Sequence, residues 1–183
     1  MKLLLGVSGG IACYKACDLT SAAIKAGHEV RVVMTPSAQR FVAPLTFEAL
    51  SMNPVMTEVF HTGPSADGVG SIDHVNWAKW ADVAAIAPLT ASTLGKLACG
   101  IADNALTTAW LALPPGTPIV LAPAMNTSMW NHPIVQRNLG WLEQTELYTF
   151  ANPVSKRLAC GDVGVGGLAD VPDILAAIES VAP

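Results

Sequence analysis

Charge is scarce in this sequence of 183 residues: Asp, Glu, Lys and Arg together make up 13% of it, against about a quarter in an ordinary soluble domain. Beside a hydrophobic content of 51%, that shortfall predicts apolar surface that meets other subunits. Ten Lys plus Arg, scattered along a chain of net charge -4, offer no basic stripe for a phosphate backbone, so nucleic acid is not an expected partner. No apolar run reaches the roughly 18 residues of a membrane span before Pro, Gly or a polar residue breaks it, and no membrane role is expected. The start Met1-Lys2-Leu3-Leu4-Leu5 is interrupted too soon to serve as a secretory signal. Cysteines 13, 17, 99 and 160 lack CxxC spacing, which points to reduced thiols in the cytoplasm. The length predicts one domain, residues 1–183, around one core.

Alternation is what the chain has in abundance. Leu3 to Val7 predicts a buried strand, followed by a Gly-bearing turn and a helix to about Lys25 with Gly27 as its stop. Glu29 to Met34 predicts a second strand, and Thr35-Pro36 offers a capping hydroxyl and a first-turn proline for another helix. A short helix over 45–50, a strand over 55–60 and a mobile loop or lid over 61–71 are expected next. The pattern then predicts a helix over 73–80, a strand over 82–87 ending at Pro88, and helices over 90–100 and 103–113. A strand over 118–121, a helix over 134–143, a strand over 147–150 and a helix over 171–181 complete the reading. Residues 156–170, Gly-rich over 161–167, hold too much glycine to be helix or strand throughout and read as a flap. Such alternation implies an α/β fold: a single doubly wound, mostly parallel sheet with helices on both faces, Rossmann-like or flavodoxin-like. Loops at its carboxyl edge would form the site.

Several loops carry chemistry. Ala122 to Trp130 reads Ala-Pro-Ala-Met-Asn-Thr-Ser-Met-Trp where a strand should empty into a helix, delivering the amide of Asn126 to the carboxyl edge. An ordinary helix-capping role for that Asn is equally open. The turn Gly6-Val7-Ser8-Gly9-Gly10-Ile11 lets backbone N–H groups approach an anion at a helix N-terminus. It does not match G-x-G-x-x-G, and the second strand ends in Thr35 rather than an acid that would hold a ribose, so a mononucleotide suits it better than a dinucleotide. Thr35 and Ser37 add hydroxyls at the adjoining loop. Among four histidines, His74 is the one best placed to exchange a proton near neutrality, since His28 and His132 sit at helix ends and His61 in a loop. Cys160, in the glycine-rich segment, is placed to reach a ligand and trade protons with it.

Taken together, Gly6 to Lys15, His74, Ala87 to Thr108, the Pro-x-Met-Asn-x-x-Met-Trp pattern of 123–130 and Leu158-Ala159-Cys160-Gly161-Asp162 resemble the phosphopantothenoylcysteine decarboxylases, members of the flavin-containing cysteine decarboxylases. The resemblance covers nearly the whole chain. It implies FMN as cofactor, held by Gly9, Gly10, Ile11, Thr35, Ser37, Thr90, Ala91, Ser92, Thr93 and Ala124. It further implies His74 as active-site base, Asn126 as holder of the substrate carboxylate and Cys160 as proton donor. Met129, Arg157, Leu158 and Ala159 would line or clamp the pantothenoyl pocket. The implied reaction turns 4'-phosphopantothenoylcysteine into 4'-phosphopantetheine in coenzyme A biosynthesis, through a thioaldehyde and an enethiolate, with neither NAD(P)H nor metal. The family assembles as trimers or dodecamers. Its larger bacterial form carries a fused ligase that this chain is expected to lack, leaving the phosphopantothenate-cysteine ligase as a separate pathway neighbour. Two rival readings stay open: a peptidyl-cysteine decarboxylase acting on the C-terminal cysteine of a ribosomal peptide, and a flavin-binding regulatory subunit without catalysis.

Overall fold

The structure, a computed structural model, describes residues 1–60, 73–157, 161 and 163–183. Its centre is a parallel sheet of six strands in the order β3-β2-β1-β4-β5-β6. The strands are β1 (Lys2–Val7), β2 (Glu29–Met34), β3 (Val55–Met56), β4 (Val83–Leu89), β5 (Ile119–Pro123) and β6 (Tyr148–Phe150). The central strands read as near-continuous apolar runs because both faces of the sheet are covered. Side chains alternate faces along a strand. Leu3, Leu5 and Val7 of β1 therefore pack with α1 (Cys13–Lys25) and α8 (Val171–Val181), through Ala16 and Leu19 of the first and Ile174 and Ile178 of the second. Leu4, Ile86 and Leu121 point the other way, onto α4 (Ala91–Cys99), α5 (Ala105–Leu111) and α7 (Pro133–Glu143). Each fully buried Leu or Ile here stabilises the fold by roughly 1.5–3 kcal/mol, so the two faces hold the sheet between them.

Three local departures from the sequence reading have physical reasons. After β2, the helix expected at Thr35-Pro36 is a single 3-10 turn, Ala38–Arg40. The Thr35 hydroxyl accepts from the Ala38 N–H at 3.2 Å, and the next α-helix, α2 (Pro44–Ser51), starts at its own proline. The strand expected over 55–60 pairs only at Val55–Met56. β4 and β5 run on through Pro88 and Pro123. A register shift between Ile86 and Leu89 leaves the Pro88 nitrogen outside the regular ladder, where its missing N–H costs nothing.

Within the glycine-rich segment lies a strand that the sequence reading did not assign. Val163–Gly167 is a strand, β8, paired antiparallel with β7 (Val154–Arg157) in a separate two-stranded sheet. The lid expected over 61–71 lies outside the described residues.

The helix α3 (Asp73–Trp80) leads into the amino end of β4 and so puts its own first turn, with His74, at the carboxyl edge of the sheet. It is fastened from β2: the Arg31 guanidinium stacks 5.4 Å from the Trp77 ring and 4.4 Å from the Trp80 ring. Arg31 Nε is buried with no hydrogen-bond partner among the described residues, so stacking on the two indoles is what offsets its burial.

Candidate active site

β1 continues to β2 on one side while β4 continues to β5 on the other. At that reversal the connecting loops diverge and leave a crevice. A cavity of about 740 Å³ opens there. Ser8, fully buried, fastens its two central loops together. Its hydroxyl donates to the Pro88 carbonyl at 2.7 Å and accepts from the Thr90 N–H at 2.9 Å. Thr90 in turn caps α4 by accepting from the Thr93 N–H. The Cys13 thiol donates to the Ser8 carbonyl at 3.1 Å. Burial holds its pKa above the ordinary thiol value, so Cys13 is a neutral strut rather than a nucleophile. Gly9 lies against the next loop so closely that a Cβ there would strike Ser37 and come within 2.9 Å of the Ala38 nitrogen.

The second wall is the hairpin of β7 and β8. The Met125 N–H donates to the Gly166 carbonyl at 2.8 Å. A Cβ on Gly164 would strike the Thr127 side chain, one on Gly166 the Met125 carbonyl, and one on Gly167 the Lys156 stem. Gly166 also holds φ +140, a region that L side chains avoid. Glycine in this segment therefore serves close approach, which is why a composition suited to a loose flap makes a strand instead.

Between the walls sits Asn126, N-cap of the single turn α6 (Thr127–Trp130), with its Oδ1 accepting from the Ser128 N–H at 2.8 Å. The capping reading holds, and so does the placement at the cavity. With Oδ1 committed to the cap, what Asn126 can turn toward a carboxylate is its amide NH₂. Among the described residues no Asp or Glu lines the cavity, while Lys15, Lys156 and Arg157 do, an arrangement that favours anionic ligands.

Of the residues expected from the sequence, the structure brings Gly9, Gly10, Ile11, Thr90, Ala91 and Ser92 to one side of this cavity, with Ala124, Asn126, Met129 and Arg157 facing it from the others. Thr35, Ser37 and Thr93 do not line it. Thr35 and Thr93 are buried one layer behind, the first capping the turn after β2 and the second bonded to Thr90. Ser37 abuts Gly9. His74 shares the carboxyl edge but is not on its own chain's cavity; its Nδ1 is buried with no partner among the described residues. Leu158, Ala159 and Cys160 lie outside the described residues. Sequence reasoning missed Ser8, whose importance lies in a bond to a loop 80 residues away, and Lys156, whose strand was hidden by its glycine-rich partner.

A flavoprotein family model matches residues 1–182. The chain is 47% identical over 178 residues to a probable phosphopantothenoylcysteine decarboxylase of Streptococcus mutans, covering 97% of both. It is 49% identical over 179 residues to the coenzyme A biosynthesis bifunctional protein CoaBC of Bacillus subtilis, where it covers 97% of this chain but spans 42% of the relative. Among solved structures, a PPC decarboxylase variant complexed with pantothenoylaminoethenethiol superposes with a TM-score of 0.85 at 34% identity, covering 98% of this chain and 96% of that one.

Proposed function

The chain belongs to the flavoprotein family, and from that premise we propose that it is an FMN-dependent decarboxylase converting 4'-phosphopantothenoylcysteine to 4'-phosphopantetheine for coenzyme A biosynthesis. One observation carries the reading. A single cavity free of carboxylates among its described residues joins the bare amide turn Gly9–Ile11 to the amide of Asn126. A full-length relative carries the name of that activity.

The residues present fit FMN. Neutral donors, the N–H groups of 9–11 and the hydroxyls of Thr90 and Ser92, suit a phosphate at the N-terminal end of α1. Ile11, Pro88, Ala91, Ala124 and Met125 offer a flat ring an apolar slot. Thr35, Ser37 and Thr93 support that cradle from behind. Bound FMN supplies a reversible two-electron acceptor, which makes loss of CO₂ from a cysteinyl carbon possible with no net redox change.

The chain's own residues bind and orient the substrate and exchange its protons. Asn126 orients the carboxylate with a neutral amide, fixing geometry without stabilising a charge that vanishes as CO₂ leaves. Met129 and Arg157, with Leu158 and Ala159, hold the pantothenoyl portion. His74 takes the substrate proton, and Cys160 returns one to the product carbon. Because His74 stands off its own cavity, a second copy in a homo-oligomer, trimer or dodecamer, brings it there. The 62% and 57% exposure of Ile11 and Tyr14 beside the cavity supports an apolar contact at that place. A ligase joining cysteine to phosphopantothenate supplies the substrate, and the setting is cytoplasmic.

The test is direct. Purified protein loaded with FMN is given phosphopantothenoylcysteine and, separately, a peptide ending in cysteine. Release of CO₂ and formation of 4'-phosphopantetheine from the first alone is the expected result. Decarboxylation of the peptide alone, or of neither, overturns the proposal.

A further inference from the structure

The helix α7 turns outward a face that its own chain does not use. Leu139 and Leu142 pack into the core and Asn138 is buried with them, while Ile134, Gln136, Arg137, Trp141 and Glu143 are exposed. At about 100° per residue, Gly140 falls in the middle of that outer face. It is interior to the helix, where glycine costs stability relative to alanine. Yet among the described residues a Cβ there would meet nothing within 4 Å beyond its neighbours and the helix backbone. Unlike Gly164, Gly166 and Gly167, it makes room for nothing in its own chain.

Beside it, Ile134 and Trp141 are 52% and 46% exposed. The Arg137 guanidinium does not reach into water: it lies 4.4 Å over the Trp141 ring and donates to the Asn138 Oδ1 at 3.0 Å. An arginine already spread on a tryptophan has little rotamer freedom left to lose on contact, and these two residue types carry much of the energy of protein interfaces. Charge and spacing point to what covers the face. Arg137 is the only charge in the first half of α7 and Glu143 the only one in the second. A second α7 lying antiparallel brings opposite signs alongside, whereas a parallel one sets like beside like. Arg137 and Trp141 stand one turn apart on the same flank. A two-fold axis close to Gly140 therefore exchanges them, so that each guanidinium meets the other copy's indole. The missing side chain lets the two backbones approach.

We propose that the outer face of α7 is a two-fold contact between two copies of this chain, centred near Gly140. It is distinct from the contact at Ile11 and Tyr14, because α1 covers one face of the sheet and α7 the other. A contact in which every chain pairs with its like gives a particle with an even number of chains, and a trimer alone does not satisfy it.

The test counts the chains per particle of the FMN-loaded protein by native mass spectrometry and light scattering. The wild type should hold an even number. Gly140→Gln puts a good helix former into open space, so far-UV circular dichroism should stay unchanged while the particle falls to about half its chains or fewer. Trp141→Glu, which removes the indole, should do the same. FMN content should hold in both variants, since no residue of α7 lines the cavity. A wild type of one or three chains overturns the proposal, and so does an unchanged particle in both variants. Loss of helix content, or of FMN together with mass, overturns it as well, because the face would then serve its own chain. A wild-type dimer that either variant splits into single chains upholds this contact and removes the one at Ile11 and Tyr14.

Discussion

The two walls of the cavity are built by opposite means. The sheet-edge wall is joined through hydrogen bonds: Ser8 spans to Pro88 and Thr90, and Cys13 braces Ser8 from below. The hairpin wall is joined through missing side chains, since Gly164, Gly166 and Gly167 let β8 lie directly on Thr127, Met125 and the Lys156 stem. The first wall fails when a polar partner is removed. The second fails when a methyl group is added. A cofactor that stays bound suits a wall of buried polar ties, whereas a substrate that comes and goes suits a wall outside the main sheet.

The sharpest test of that division removes the chemistry and leaves both walls standing. His74→Asn should lower decarboxylation by roughly 10²–10⁴-fold with the flavin absorbance retained, and full activity would remove His74 from the reaction. Asn126→Asp, which keeps a capping oxygen but repels a carboxylate, should be comparably inactive. Co-expressed with His74→Asn it should recover partial activity, whereas a dead mixture would place each site within one chain. Next in size, Gly166→Ala forces a Cβ toward the Met125 carbonyl at an unfavourable φ. The strain is of order 1–3 kcal/mol, so kcat/KM should fall about 10- to 100-fold while FMN affinity holds. Loss of FMN together with activity would merge the two walls into one.

Ser8→Ala should show the converse, a stability loss of roughly 1–3 kcal/mol for the unpaired buried groups left behind, read from urea denaturation, with weakened FMN. The smallest effect concerns Cys13. Its raised pKa means that the folded state holds the proton more tightly than the unfolded chain, so this stabilisation is complete below the unfolded thiol's pKa and is lost as pH rises through the folded one. In the native protein at pH 8, Cys99, which is exposed, should alkylate well before Cys13 by mass spectrometry. Equal rates would show that the buried brace is loose.

Much of this was legible in the sequence because it is local. The buried runs of β1, β4 and β5 and the caps of their following helices are written in neighbouring residues, and so are the loops they bring to one edge. Asn126 was legible as a helix cap and as a residue of the carboxyl edge. Pairing across the chain was not. Ser8 looks like one more turn residue until Pro88 and Thr90 stand beside it, and Val163–Gly167 looks like a flap until its partner strand and Met125 show what the absent side chains make room for. Thr35, Ser37 and Thr93 stand at the same edge beside the cavity's lining, Thr35 and Thr93 buried and Ser37 exposed, and their sequence reads alike for either role because capping and ligand binding ask for the same hydroxyl.

Arg31 gives His74 a distant governor. The histidine stands three residues before Trp77 and six before Trp80 on a helix only two turns long, and both indoles rest on a guanidinium that belongs to a strand of the neighbouring core. The imidazole is therefore aimed from the far end of its own helix, by a residue that does not line the cavity. Replacing that flat cation by the compact, strongly hydrated ammonium of lysine would re-aim the imidazole while every group lining the cavity stayed as it was.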